Sequence, residues 1–427
     1  MSPDNFALSE AKVQDNTLGP EGPAHKALVI TSNSNITLEG IGYIQKYARA
    51  GLPVIFSGGG PSVYATQDGS TNSAVKRAIR TLKQSKNVYS VSAGQVARKL
   101  QSLRLKPRVG VQTNGTWYTT WREDAQNAMD HAFVFCDTNA SSGVVSITSN
   151  KTPYFLNPWT GEQTPVLTYQ RKDGQVIIPL NLAGNQTAIF GFTDTGKSPK
   201  VHITKGSSAV LGVGTPKSDA ILHVAASRTT QKITLSSGKQ VTLPTGIHSP
   251  IQLANWTLVA EHWEAPQNIS NAATIAAKHN TTHHLPSLLS WAQIEGLKNA
   301  SGIGYYSTSF TWPLTGKSDL ADGAYLVLPP IKHAARIYLN GHQLPPLDLS
   351  APRADLGQYL RNGRNQVTVV VPTTMWNYIR SIFGQIRNAG VEPLLNSVSP
   401  VTPPRSDNGL IGGVKLVPYV NVSIEVY

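Results

Sequence analysis

Glu261 and Glu264, in the run Glu-His-Trp-Glu, are the carboxylate pair most suggestive of chemistry, because Trp263 between them offers a ring that can stack on a sugar. Acid–base cleavage of a glycosidic bond needs two carboxyl groups facing one sugar, roughly 5–9.5 Å apart. The plainer reading, a strand edge with a structural tryptophan, is the stronger one, as is a turn role for Glu162 after Trp159. His279, His283 and His284 fall in His-Asn-Thr-Thr-His-His, a spacing that would gather imidazoles on a helix face. Asn-Thr-Thr disfavours a helix, so a solvated loop without a metal is expected. Ser57-Gly-Gly-Gly-Pro follows an apolar run as a phosphate-cradling loop would, but it is neither GxGxxG nor followed by GK[ST], and it is read as a structural loop. No serine occupies a G-x-S-x-G elbow. For binding rather than cleavage, aromatic rings must meet pyranose faces while polar groups fix the hydroxyls. Trp376 and Asn377, in Thr-Thr-Met-Trp-Asn-Tyr and expected on a sandwich-end loop after the strand of Val367 to Val371, and Trp263 are the sugar-binding candidates, with packing as the competing role of Trp376; Trp117 and Trp121 are assigned to packing. No residue is assigned to catalysis, to a metal or to a cofactor.

The elements that must position these residues change character along the chain. Ala27 to Ile30, Val54 to Phe56 and Val88 to Val91 are short apolar runs. They alternate with helical stripes at Leu38, Ile41, Ile44 and Tyr47, at Val75, Ala78, Ile79 and Leu82, and at Val96, Leu100 and Leu103. Strand–helix repeats with short connections imply a parallel sheet, here a small flavodoxin-like α/β domain over residues 1–108. From about residue 110 the helical period is lost. Thr116 to Trp121, Ala132 to Phe135, Val144 to Ile147 and Val176 to Leu180 are strand-like runs between Asn, Gly and Asp clusters, so a β-sandwich is expected over 109–250. In the last third, Tyr306, Thr308, Phe310 and Trp312 share one strand face, Asn340-Gly341 marks a two-residue hairpin, and Val367, Val369 and Val371 alternate. A jelly-roll domain over 251–427 follows, with a helix expected around Leu285 to Leu297.

Composition agrees with several all-β domains. Hydrophobic residues make up 40% of the 427 and charged residues 14%, while Gly 36 and Pro 28 supply many turns. Cys136 is the only cysteine, which excludes an internal disulfide and a Cys-based zinc site. Lying in Phe-Val-Phe-Cys-Asp, it is read as an inert buried thiol. Ten Asn-x-Ser/Thr acceptors occur, at Asn35, Asn114, Asn139, Asn150, Asn185, Asn255, Asn268, Asn280, Asn299 and Asn421. Chance would give about four, so the excess favours a secreted, glycosylated parent. The first residues carry no basic-then-apolar signal, which leads to the expectation that the chain starts partway along that parent. The net charge of +13 is concentrated between Lys76 and Arg108, at Lys76, Arg77, Arg80, Lys83, Lys86, Arg98, Lys99, Arg104, Lys106 and Arg108. Solvated helix faces are the first reading and a docking face for an acidic partner the second. No interleaved aromatics or RNA-binding motif point to nucleic acid, and no apolar run reaches the ~18 residues a membrane span requires.

Three groups of residues are familiar. Trp291-Ala-Gln-Ile-Glu-Gly-Leu-Lys-Asn-Ala-Ser-Gly-Ile-Gly-Tyr-Tyr-Ser-Thr-Ser-Phe-Thr-Trp-Pro, then Ile337-Tyr-Leu-Asn-Gly-His and Leu360-Arg-Asn-Gly-Arg-Asn-Gln-Val-Thr-Val-Val-Val, resemble the opening, central hairpin and closing strand of the galactose-binding-like domain attached to many glycoside hydrolases. Tyr154-Phe-Leu-Asn-Pro-Trp-Thr-Gly-Glu-Gln-Thr-Pro-Val resembles the strand–turn of glycoside hydrolase family 106, the α-L-rhamnosidase-like proteins. Ser2-Pro-Asp-Asn-Phe-Ala, Lys26-Ala-Leu-Val-Ile and Ala50-Gly-Leu-Pro-Val-Ile-Phe-Ser-Gly resemble the α/β domain that follows the barrel in that family. The resemblance implies an accessory, non-catalytic C-terminal part of a secreted glycoside hydrolase. Its partners would be carbohydrate and a catalytic barrel that would lie before Met1. A stand-alone lectin-like protein and a glycosidase with unrecognised carboxylates are the alternatives.

Overall fold

Helices Leu38–Arg49 and Asn72–Lys83 begin where Thr37 and Thr71 accept hydrogen bonds from the backbone N–H groups of Gly40 and Ala74, satisfying amides that a helix start leaves without partners. The computed structural model describes residues 3–61, 64, 69–124, 126–194, 198–214, 220–225, 229–247, 249–271, 273–313, 321–388 and 404–426. The chain divides into two compact units, Met1–Pro107 and Arg108–Tyr427. In the first, Ile41, Ile44 and Tyr47 of one helix and Val75, Ile79 and Leu82 of the other share a core with Val54 and Phe56. Strand Val54–Ser57 lies between Leu28–Ile30 and Val88–Val91 and runs parallel to both, as the strand–helix alternation predicts. The order is a correction to the flavodoxin-like expectation. A flavodoxin-like sheet places its first strand between the second and third, whereas here order along the sheet follows order along the chain. Both crossovers step the same way, a choice that hydrophobic periodicity does not encode.

The second unit is built from sheets. Strand Thr116–Arg122 pairs with Asp130–Asp137, which continues through Thr187–Thr193 and Thr152–Leu156 to Gln163–Pro165. A four-stranded sheet runs Gln170–Lys172, Gln175–Leu182, Ser141–Thr148, Val109–Thr113. Residues of both, including Trp117, Val134, Cys136, Val145, Ile147, Val176, Phe190 and Phe192, form one buried core, so the two sheets make a sandwich. Cys136 is buried, as its strand context requires.

A second sandwich packs two six-stranded sheets over a core containing Leu258, Tyr306, Val367, Val369 and Val371 from one and Ala324, Leu326, Val414 and Leu416 from the other. Asn340 and Gly341 both have positive φ, 53° and 85°, as the hairpin turn demands. The second of these sheets crosses residue 250: Ala220–Val224 pairs along the C-terminal strand Val414–Ile424, so the strands on the two sides of that position share one ladder.

Three local expectations are revised. Leu285 to Leu297 is not a helix; only Trp291–Gln293 forms a 3₁₀ turn. Leu288, Trp291, Ile294, Leu297 and Ala300 recur every three residues and are buried. Hydrogen bonds from Ile294 to Trp291, Leu297 to Ile294 and Ala300 to Leu297 follow that spacing, the 3₁₀ period rather than 3.6. The histidine-rich segment is a strand, Ala277–Leu285, paired along its length with Trp256–Glu264. It is the outermost strand of its sheet, where polar side chains are accepted and discourage edge-to-edge pairing. Trp376 opens a short helix, Trp376–Ser381, rather than a loop. No helix among the described residues is long and apolar enough to cross a membrane.

Candidate functional site

Strand register gathers a polar cluster on one face of the sheet that contains Val414–Ile424. Gly323 lies opposite Tyr419 and Tyr325 opposite Val417 on one side, and Tyr325 lies opposite Asp355 on the other. His223 lies opposite Asn421, and Gly212 opposite His223. Side chains alternate between faces, so Tyr325, Arg353, Asp355, Tyr419 and His223 come to one side while Ala324, Leu326 and Leu416 enter the core on the other. Gly212 and Gly214 clear the space: a Cβ on the first would stand 2.3 Å from the Tyr325 hydroxyl and on the second 2.8 Å from His223 Nε2.

The cluster is fully connected. The His223 ring stacks on Tyr419 at 3.9 Å and 3°, and its Nδ1 is 2.6 Å from the Tyr325 hydroxyl. Burial lowers the basicity of His223 more than the nearby Asp355 carboxylate raises it, so the ring is neutral near pH 7. Burial pushes the Tyr325 phenol up to about 12. The hydrogen bond between Nδ1 and the Tyr325 hydroxyl therefore joins two neutral groups, and the tautomer of His223 decides which of them donates. Burial, then the hydrogen bond to Asp355, raises Tyr419 as well; it donates to Asp355 Oδ1 at 2.7 Å. Asp355 Oδ1 also accepts from the Gly357 backbone at 2.9 Å. The Arg353 guanidinium lies 3.6 Å from the Tyr325 ring centroid, a cation–π contact.

Tyr325, Arg353 and Asp355 of this cluster line a cleft of about 560 Å³, within the range of small-molecule sites. Half-buried Tyr154 and Tyr359 line it together with exposed Arg353, Asp355 and Gln358. Asn157, Thr160 and Glu162 also line it, and they come from the Asn-Pro-Trp-Thr-Gly-Glu turn. That turn closes on itself: Asn157 Oδ1 accepts from the backbone of Trp159, and Gly161, at φ 75°, donates to the Asn157 carbonyl. An adjoining cavity of about 370 Å³ shares Gly214, Asp355 and Gln358. Rings beside convergent donors and acceptors suit a hydroxyl-rich ligand. Sequence reading reached only the 154–166 turn of this site; its other residues lie on strands far apart in the chain, Arg353 and Asp355 two apart on one of them.

Of the residues singled out from sequence, Glu162 lines this cleft, and the sugar-binding candidates lie elsewhere. Asn377 is fully buried, with its amide exchanging hydrogen bonds with the Ser406 backbone. Half-buried Trp376 donates to the Pro404 carbonyl at 2.9 Å. Both fasten the segment around Pro404–Ser406. Trp263 is half-buried, its indole donating to Glu261 and one face covered by Lys278 Nζ at 4.0 Å. Glu261 is also 3.6 Å from that ammonium, and Glu264 is 3.7 Å from His279. Glu162 is an exposed turn residue. The ten acceptor asparagines, Asn35 to Asn421, are all exposed. In the first unit, Ser57 is followed by Gly58, Gly59 and Gly60 at φ 63°, 88° and 84°. Lys83 there donates to the Gly59 carbonyl, and Lys99 covers Tyr89 at 3.7 Å.

No protein-family model matches the chain, and no curated protein does. Among solved structures it is similar to a rhamnosidase from Novosphingobium sp. PP1Y, with 18% identity and a TM-score of 0.51 over 91% of this chain. The match takes in 33% of that protein, so the chain spans about a third of the rhamnosidase's length. A β-glycosidase from Bacteroides vulgatus has 21% identity and a TM-score of 0.20 over 29% of this chain and 17% of that one. A β-glucuronidase from Faecalibacterium prausnitzii has 14% identity and a TM-score of 0.24 over 42% and 33%. At such an identity the rhamnosidase likeness is one of fold alone.

Proposed function

We propose that this chain is the non-catalytic, carbohydrate-associated C-terminal part of a secreted, α-L-rhamnosidase-like glycoside hydrolase, and that the cleft over Tyr325 holds its saccharide. The last sandwich is then a galactose-binding-like domain, and the exposed acceptor asparagines carry glycans. The observation that carries the reading is the cleft itself. It offers tyrosine rings and hydrogen-bonding groups, while its carboxylates serve other ends: Asp355 holds Tyr419 and the Gly357 backbone, and Glu162 sits in a turn. The order of the motif resemblances and a fold shared with a rhamnosidase over 91% of the chain agree with it.

Calorimetric titration of the purified chain with L-rhamnose and rhamnose-containing oligosaccharides tests the proposal. Saturable binding is expected, weakened on the order of tenfold or more in Arg353→Ala, since a charged hydrogen bond contributes about 1.5–3 kcal/mol. Trp376→Ala should bind normally. Loss of binding in Trp376→Ala with Arg353→Ala unaffected would move the saccharide to the Trp376–Ser381 helix; no binding at all would overturn the reading.

A further inference from the structure

We propose that His262, Glu264 and His279 form a binding site for one divalent ion of the zinc class. The hairpin of Trp256–Glu264 and Ala277–Leu285 places His262 directly opposite His279. The two-residue period brings Glu264 to the face of His262. One ligand atom from each of the three lies within 4.8 Å of the others. Glu264 Oε2 and His279 Nδ1 are 3.7 Å apart, close to the roughly 3.4 Å edge of a tetrahedron with zinc–ligand bonds near 2.1 Å.

The surroundings have the form that metal-binding imidazoles need. His262 is buried, and its Nε2 is 2.8 Å from Thr281 Oγ1, which is itself 2.9 Å from His283 Nε2. This outer layer fixes the His262 ring and leaves Nδ1 to a ligand. His279 stacks on His262 at 4.3 Å and 17°. Being exposed, it can turn out of the stack so that the two lone pairs converge. A cavity of about 140 Å³ lined by His262, Glu264, Ser301 and Tyr378 leaves room for a water beside these two ligands. Two imidazole nitrogens and one carboxylate select zinc and its neighbours over calcium or magnesium, which take oxygen. The site is independent of the saccharide cleft.

The experiment is a calorimetric Zn²⁺ titration of the full, metal-stripped chain carrying no histidine tag, with Ca²⁺ as a second probe. One Zn²⁺ per chain and no Ca²⁺ binding are expected. Affinity should fall on the order of 100-fold in His279→Ala and tenfold or more in Glu264→Gln, scaled from the tenfold to 100-fold effect of outer-layer groups. His279 is exposed and Glu264 half-buried, and circular dichroism checks that both variants fold. Zn²⁺ should raise the melting temperature of the parent chain and not that of His279→Ala. Zn²⁺ binding below one per chain, or equal affinity in both variants and the parent, would overturn the proposal.

Discussion

Trp291→Ala is expected to lower the stability of the last sandwich by about 3–5 kcal/mol, the range for removing a large ring from a close-packed core. Trp291 is fully buried, and its indole donates to the Tyr306 hydroxyl at 2.7 Å. That hydroxyl also accepts from the Leu410 backbone at 3.1 Å, and the Trp291 backbone donates to the Asn408 carbonyl at 3.0 Å. The substitution therefore opens a cavity, strips a buried phenol of one partner, and loosens the Asn408–Leu410 crossing. Gly409 at φ 98° brings that crossing against both rings, where a Cβ would stand 2.4 Å from the Tyr306 hydroxyl. Urea denaturation followed by circular dichroism measures the loss. Tyr306→Phe separates the polar part: it keeps the volume and removes one acceptor, at a cost of about 1–3 kcal/mol. Equal stabilities of Trp291→Ala and the parent would mean the two rings do not share the core.

Asn365→Leu should cost about 2–4 kcal/mol, because one buried amide satisfies four groups at once. Its Oδ1 accepts from Arg361 N at 3.1 Å and from Asn340 Nδ2 at 2.8 Å. Its Nδ2 donates to the carbonyls of Arg361 at 2.7 Å and Gly363 at 3.0 Å. Leucine is similar in volume, so the loss measures hydrogen bonding rather than space. Asn365→Asp is the sharper control. It keeps the shape but removes both donors and sets a carboxylate against two carbonyls, so it should be destabilised comparably in the same denaturation. A wild-type transition in both variants would contradict the assignment.

These two positions show how far local reading reached. The familiar motifs around Trp291, Asn340 and Leu360 to Asn365 are residues whose side chains close loops of one sandwich: Asn340 and Asn365 bond to each other across 25 positions, and Trp291 meets Tyr306. Alternation at Tyr306 to Trp312 and Val367 to Val371 placed those strands, since one face of each is buried. The period-three burial from Leu288 to Ala300 was misread as a helix because three and 3.6 are hard to separate over so few residues. The histidine strand was misread because its order comes from the partner strand, not from its own propensity. Beyond its turn, the Tyr325 cleft escaped for a stronger reason. His223, Tyr325, Arg353 and Tyr419 meet only through register between distant strands, and no local pattern carries register. Conversely, Asn377 has the composition of a ligand-binding residue, but its amide is spent on the Ser406 backbone.

The central claim is that the chain holds saccharide without cleaving it. The direct measurement is release of chromophore from aryl α-L-rhamnoside and related aryl glycosides by the purified chain, over a pH series. Release at the buffer rate is expected throughout, even at concentrations where the cleft binds sugar. Turnover that disappears in Glu162→Gln or Asp355→Asn would contradict the claim and make those two carboxylates an acid–base pair.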